Sequence, residues 1–140
     1  MVNNSDIQKF LVQTILLHTS DSNLLPDTAE VREDNWHGKT YSYPNIRVRV
    51  ERQEIESGNC NYSNAYAVIL VNSEEPSSDQ CNDIAFSVAE YLHEKTISDS
   101  IVNNDSIKSV KISVSTLGGA ESVGEIWLVR IQLRLLVTSK

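Results

Sequence analysis

Two neighbouring segments decide the fold of this chain: PNIRVRVE at residues 44–51 and YSNAYAVILVN at residues 62–72. In the first segment, isoleucine and valine alternate with arginine and glutamate, which is typical of a strand with one charged face. The second segment is apolar on both faces from Ala65 to Val71, as expected of a central strand. Turn-forming residues from Ser57 to Asn61 separate the two segments, so the sequence predicts an antiparallel hairpin.

Two other segments have the three- and four-residue spacing of amphipathic helices. The first covers about residues 6–19, and Ser5 and Gln8 are spaced as a capping box at its start. The second follows Pro76, where Ser77 and Gln80 have the same spacing, and we expect it to end by Ser98. Its apolar stripe consists of Cys81, Ile84, Ala85, Val88 and Leu92. Both apolar stripes must pack against a sheet or another helix to be shielded from water.

The C-terminal part of the chain predicts two more strands. Residues 108–115 alternate, with Lys111 and Ser113 on the polar face, and residues 125–138 form the longest alternating segment. Glycines at 118, 119 and 124 predict a loop between them. The order α-loop-β-β-α-β-β predicts one α+β domain over residues 1–140. We expect a mainly antiparallel sheet of four strands or slightly more, with two helices packed on one face.

A long segment at about residues 20–43 has no regular periodicity. It is rich in turn-forming and acidic residues, and a short strand at 29–32 is a minor alternative. It also carries Trp36, His37, Tyr41 and Tyr43 in a chain with only 6% aromatic residues. Long irregular connections inside compact domains tend to bind something or to stay mobile. The segment is therefore either a loop over the domain's own core or an arm that contacts a neighbouring chain, with Trp36 and Tyr41 as its contact residues.

Composition excludes several classes of protein. The net charge of −7, from 12 Lys and Arg against 19 Asp and Glu, argues against specific nucleic-acid binding. The longest apolar run, Ala65–Val71, is far shorter than the roughly 20 residues of a membrane-spanning helix, so we do not expect a membrane protein. The first residues lack the pattern of a secretory signal. Cys60 and Cys81 are then expected to be free thiols in a reducing compartment.

The sequence contains no recognisable catalytic, cofactor or metal motif. Cys81 falls on an apolar stripe, and Cys60 lies at a hairpin tip without a neighbouring base. The three histidines at 18, 37 and 93 match no metal-binding spacing, and the acidic pairs at 33–34 and 74–75 lack the pattern of a calcium loop. The paired glycines at 118–119 lack the lysine of a phosphate-binding loop. We therefore expect no enzyme, no cofactor and no metal.

The arginines are the most informative polar residues. Arg47 and Arg49 share the polar face of one predicted strand, and Arg130 and Arg134 share a face of the last strand. Acidic residues lie elsewhere, in the long loop and at Glu74, Glu75 and Asp79. A domain that is basic on one side and acidic on another can associate head-to-tail with its copies, and it closes into a ring when the rotation allows. The alternative is an ordinary charged solvent face.

The order of elements resembles that of the tail terminator, or tail completion, proteins of long-tailed bacteriophages and of related minor tail and head–tail joining proteins. The matching segments cover most of the chain: Asp6–Leu17, Tyr43–Val48, Ala65–Asn72, Asp79–His93 and Ile126–Val137. This resemblance implies a small α+β domain that forms a ring, usually a homohexamer. The resemblance further implies that this ring ends growth of the tail tube at its head-proximal end and joins the tail to the neck.

The implied mechanism is binding alone. The partners would be other copies of the chain, the tail tube protein, the neck or connector protein and, in contractile phages, the tail sheath. The protein would assemble in the host cytoplasm and remain in the virion. Our candidate contact residues are Arg47, Arg49, Arg130 and Arg134 between subunits, and Trp36 and Tyr41 in the arm. Two alternatives stay open: a neck or head-closure adaptor, and a small ligand-binding or regulatory module. A third interpretation, an enzyme, would need Cys60 or a His–carboxylate pair assembled by the fold.

Overall fold

The computed structural model describes residues 2–22, 25, 30–34, 42–55 and 61–140. Over these residues the chain forms two helices and seven strands. In chain order they are α1 (Asn4–Ser22), β1 (Glu30–Glu33), β2 (Asn45–Ile55), β3 (Tyr62–Ser73), α2 (Asp79–Leu92), β4 (Lys95–Ser98), β5 (Ile107–Leu117), β6 (Glu121–Val123) and β7 (Ile126–Ser139). The strands form one sheet in the order β1-β2-β3-β7-β5-β4, and β6 also pairs with β7.

The predicted α+β class is confirmed, but the predicted sheet was too small. It has seven strands rather than about four, and it is mixed, because β1 runs parallel to β2 while the other described pairs are antiparallel. The three additional strands, β1, β4 and β6, contain only four, four and three residues. Strands this short show too few alternations to be recognised in a sequence. β1 lies within the segment that was expected to be irregular, close to the minor alternative at 29–32.

Helix starts and ends differ from the capping prediction. α1 begins at Asn4, and the side chain of Asn3 accepts a hydrogen bond from the Ser5 N–H at 2.7 Å, so Ser5 lies inside the helix instead of capping it. At α2 the Ser77 hydroxyl accepts from the Asp79 N–H at 3.1 Å, but Gln80 accepts from Ser73 and does not reach back. The expected capping boxes are therefore wrong in detail, although both helices exist.

The end of α2 is set by a change of backbone conformation. The helix stops at Leu92, and Glu94 has a φ of 59°, in the left-handed region that L-residues seldom adopt. The chain then enters β4 at Lys95, so the segment up to Ser98, predicted as the end of the helix, is a strand instead. β4 pairs with β5 and forms an edge of the sheet.

The core lies between the two helices and one face of the sheet. It contains fully buried side chains from α1, α2 and the four long strands, among them Phe10, Leu92, Ile46, Ile69 and Ile131. The two helices also meet directly, since His18 Nε2 and Ser87 Oγ lie 3.0 Å apart and the His18 ring stacks on Tyr91. Both helices thus pack on one side. The other side of the sheet is called the open face below.

Candidate interaction surface

The open face carries every arginine in the sequence. Strand register places side chains of paired residues on the same side of a sheet. Strand pairing therefore forms two rows of side chains across the sheet. The first row contains Arg32, Arg47, Leu70 and Arg130, and the second contains Arg52, Tyr66 and Arg134. Arg49 lies opposite Val68 between these two rows. The six arginines are Arg32, Arg47, Arg49, Arg52, Arg130 and Arg134.

A β-bulge adds Arg52 to this surface. Simple alternation from Arg49 would turn Arg52 towards the core, because the two residues are three apart. The register shifts between Val50 and Arg52, so the strand gains one residue and Arg52 returns to the face of Arg49. The Arg52 guanidinium then lies 4.2 Å from the centre of the Tyr66 ring. A bulge of this kind leaves no clear signal in the alternation of the sequence.

Arg47 is on the open face but is not accessible there. Only 4% of the residue is exposed, and its Nη2 atom lies 3.0 Å from Glu30 Oε2. The Glu30 side chain is itself almost buried. β1 supplies this carboxylate, so the ion pair joins the edge strand to β2. β1 therefore covers Arg47 within the chain, and the predicted role of Arg47 in subunit contacts stays a prediction.

Three of the exposed arginines have carboxylate partners within the chain. Arg49 lies 3.2 Å from Asp34, Arg52 lies 3.4 Å from Glu54, and Arg130 lies 3.7 Å from Glu121. The three arginine side chains are all about half exposed or more. Solvent-exposed ion pairs contribute about 0–1 kcal/mol, so such arginines exchange partners at little cost.

Arg134 and Lys111 differ from these arginines. Both are exposed, and neither forms an ion pair with any residue that the structure describes. The Arg134 guanidinium lies 5.9 Å from the Tyr66 ring centre. These residues, with Leu136, surround a shallow depression of about 200 Å³ on the open face. The sequence placed Lys111 on a polar strand face, but only the β5–β7 pairing brings it beside Arg134.

The solvent-facing side of α2 is acidic. Asp79, Asp83 and Glu90 are exposed and follow one another at the spacing of helical turns, and none has an ion-pair partner among the described residues. Phe86 lies between Asp83 and Glu90 and is 56% exposed. We call these four residues the α2 stripe. Because α2 covers the inner side of the sheet, the α2 stripe and the open face lie on opposite sides of the domain.

Two of the predicted contact residues, Trp36 and Tyr41, lie outside the described residues, as do His37 and Cys60. The role assigned to the aromatic arm therefore stays a prediction. The subunit roles of Arg49, Arg130 and Arg134 also stay predictions, although these residues do share one exposed face.

The described residues offer little nucleophilic or metal-binding chemistry. Cys81 is fully buried, its Sγ donates to the Val71 carbonyl at 3.2 Å, and burial raises the pKa of its thiol to about 11. Burial lowers the pKa of His18 below 6.5, against a smaller opposing effect of its contact with Ser87. In the described ranges no three His, Cys, Asp or Glu side chains cluster as metal ligands, and no helix is long and apolar enough to cross a membrane.

A groove exists on the helical side of the domain. It has a volume of about 420 Å³ and lies between α1 and the turn before β5, with Phe10, Leu17 and Ile101 among its lining residues. Leu17 and Ile101 are about half exposed. This groove is the place that the ligand-binding alternative would use. Its polar lining consists of Lys9, Gln13, Asn103 and Asn104, which do not form a catalytic group.

Comparison with known proteins identifies a fold. No protein-family model matches the chain, and no curated protein has a similar sequence. Among solved structures, the chain is similar to a chain in the virion of a native gene transfer agent particle, with a TM-score of 0.58 and 13% sequence identity. The match covers 90% of this chain and 93% of that chain. The two chains therefore share a fold over nearly their whole lengths.

Proposed function

We propose that this protein is a structural component of a virion, and specifically a tail terminator of a long-tailed phage. The observation that carries the proposal is the nearly complete overlap in fold with a chain of a virion particle. The order of elements in the sequence independently resembles that of phage tail terminators. In this function the protein forms a ring, caps the head-proximal end of the tail tube and joins it to the neck.

The proposed mechanism is binding between copies and to neighbouring rings. The domain has an arginine-bearing open face on one side and an acidic helix on the other. Opposite charge on opposite sides favours a head-to-tail contact, which closes into a ring when successive rotations add to a full turn. No bond is made or broken in this mechanism, and the protein is not an enzyme. Arg49, Arg130 and Arg134 provide subunit contacts on the open face.

The proposal is tested with purified protein and purified tail tubes. We expect light scattering to report a multimer, usually a hexamer, and electron microscopy to show rings seated on one end of each tube. Tube ends without a ring should continue to add tube protein, whereas tube ends capped by a ring should stop growing. A particle that stays monomeric at every concentration, with and without tubes, would refute the proposal.

The same experiment separates the neck-adaptor alternative. An adaptor with this fold would form a ring that binds the connector of the head and leaves tail-tube length unchanged. A tail terminator stops tube growth. Tube length with and without the protein therefore distinguishes the two functions.

A further inference from the structure

We infer that the α2 stripe of one copy docks on the open face of the next copy, with Phe86 in the depression beside Arg134 and Lys111. The inference rests on the proposed ring and names the two surfaces that form its repeating contact. The first argument is charge. Arg134 and Lys111 have no ion-pair partner among the residues described, and the same is true of Asp83 and Glu90.

Arg134 and Lys111 differ in this respect from four of the other arginines, which already have carboxylate partners. Arg47, Arg49, Arg52 and Arg130 each have a carboxylate within 4 Å in their own chain. Lys140 likewise lies 3.4 Å from Asp99. On the two surfaces of the proposed contact, the unpaired charges are thus cations on the open face and carboxylates on the α2 stripe. An identical neighbour supplies the missing partners for both sets.

The second argument is shape. Phe86 is the most exposed of the large hydrophobic residues described and projects from the middle of the α2 stripe. The depression on the open face has a volume of about 200 Å³ and is bordered by Tyr66 and Leu136. A cavity of roughly 150 Å³ in a protein accommodates benzene, so the depression is large enough for a phenyl ring. Leu136, at 41% exposed, gains an apolar neighbour in the contact.

The third argument is spacing. Asp83 and Glu90 are seven residues apart in α2, which is about 10 Å along a helix, and Phe86 lies between them. Register pairs Lys111 with Leu136 and Ser113 with Arg134, so Lys111 and Arg134 are diagonal neighbours about 7–8 Å apart at the backbone. Their long side chains extend this span. With the phenyl ring in the depression, one carboxylate of the α2 stripe meets each cation.

The contact is heterologous, because each copy uses two different surfaces. Such contacts form rings or open filaments and not closed dimers. The aromatic residue in the centre and the charges around it also match the usual anatomy of a binding hot spot, in which the rim keeps water from the centre.

The inference is tested by a charge swap. The face variant carries Lys111→Glu and Arg134→Glu, and the helix variant carries Asp83→Lys and Glu90→Lys. In each variant taken alone, the α2 stripe and the open face carry charges of the same sign, so we expect self-association to weaken at least about tenfold. An equimolar mixture restores opposite charge at every contact when the two variants alternate. We therefore expect the mixture to assemble again, as measured by sedimentation velocity and by native mass spectrometry.

Matched controls carry the same changes of charge at other exposed sites. Lys9→Glu with Lys140→Glu controls the face variant, and Asp105→Lys with Glu125→Lys controls the helix variant. Both controls should assemble as the wild type does. Phe86→Ser, which changes no charge, should weaken association about tenfold or more without changing its salt dependence. Circular dichroism and urea unfolding verify that each variant is folded.

The outcomes separate this contact from the proposed function. If both charge variants still form the same ring as the wild type, the proposed contact is wrong and the ring proposal stands. Variants that assemble but no longer bind tail tubes would likewise overturn it, because the surfaces would then serve the tube. A mixture that stays dissociated would overturn it as well. Wild-type protein that never self-associates would overturn the ring, and the contact with it.

Discussion

Replacing Glu30 by glutamine tests the buried ion pair that joins β1 to the rest of the sheet. Arg47 Nη2 and Glu30 Oε2 lie 3.0 Å apart, and the two side chains are only 5% and 10% exposed. Removing one partner of a buried pair typically costs about 3–5 kcal/mol, because a charge is left without compensation in a poorly solvated place. Glutamine keeps one acceptor oxygen, so we expect the free energy of unfolding to fall by about 2–3 kcal/mol.

A double variant separates the cost of a broken pair from the value of the intact pair. Arg47→Met with Glu30→Leu removes both charges and keeps side chains of similar size. We expect its free energy of unfolding to lie within about 1 kcal/mol of the wild type, since apolar replacements of buried pairs are often neutral or stabilising. If this folded variant still forms the ring, Arg47 is a structural residue and not a contact residue.

The assay is urea unfolding at neutral pH, followed by circular dichroism. A domain of this kind has a free energy of unfolding of about 5–15 kcal/mol, so the Glu30→Gln variant stays folded in the absence of urea. Asp34→Asn is the matched control, because it breaks the more exposed Arg49–Asp34 contact and should cost less than about 1 kcal/mol. Equal losses in the two variants would refute the assignment of a buried, stabilising pair.

Three further predictions concern the interior. Burial lowers the pKa of His18 in the folded state below 6.5. The contribution of His18 to the free energy of unfolding is therefore complete above pH 6.5 and is lost as the pH falls through the lowered pKa. Urea unfolding across this pH range measures the loss. Burial raises the pKa of Cys81 from 9.0 to about 11, so alkylation at pH 8 should be about 100-fold slower than in unfolded protein, as followed by peptide mass mapping. Ile131→Ala should cost about 3–4 kcal/mol in urea unfolding, because this residue is fully buried at the centre of β7.

Each of these predictions has its own control. A His18→Gln variant should lose the change in stability that begins just below pH 6.5, and an unchanged curve in this range would contradict the role of His18. Equal alkylation rates of Cys81 in folded and unfolded protein would contradict its burial. Leu136→Ala, on the exposed side of β7, should cost less than about 1 kcal/mol, and a loss as large as that of Ile131→Ala would contradict the two-sided description of the strand.

The long elements of the fold were predictable because each contains several repeats of its own periodicity. β2, β3, β5 and β7 alternate or are apolar over many residues, and α2 has a stripe of four turns. A side chain that must face the core leaves a signal at each repeat. β1, β4 and β6 have too few residues for such a signal. Their positions depend on which long strand edges are available for hydrogen bonding.

The candidate surface was predictable only in part. Alternation correctly put Arg49, Arg130 and Arg134 on polar strand faces, and these residues lie on one open face. It did not predict that Glu30, seventeen residues earlier in the chain, covers Arg47. Lys111 was assigned to a polar face without a role. Trp36 and Tyr41 remain predictions, since they lie outside the described residues.

The residues of this chain specify an α+β domain through local periodicity, and they specify an acidic protein whose arginines are confined to strands. The assembled sheet decides how those arginines are used. β1 buries Arg47, the bulge after Val50 turns Arg52 outward, and pairing of β5 with β7 places Lys111 beside Arg134. Each of these outcomes depends on contacts between residues distant in the chain, and such contacts leave no mark in the pattern of any single segment.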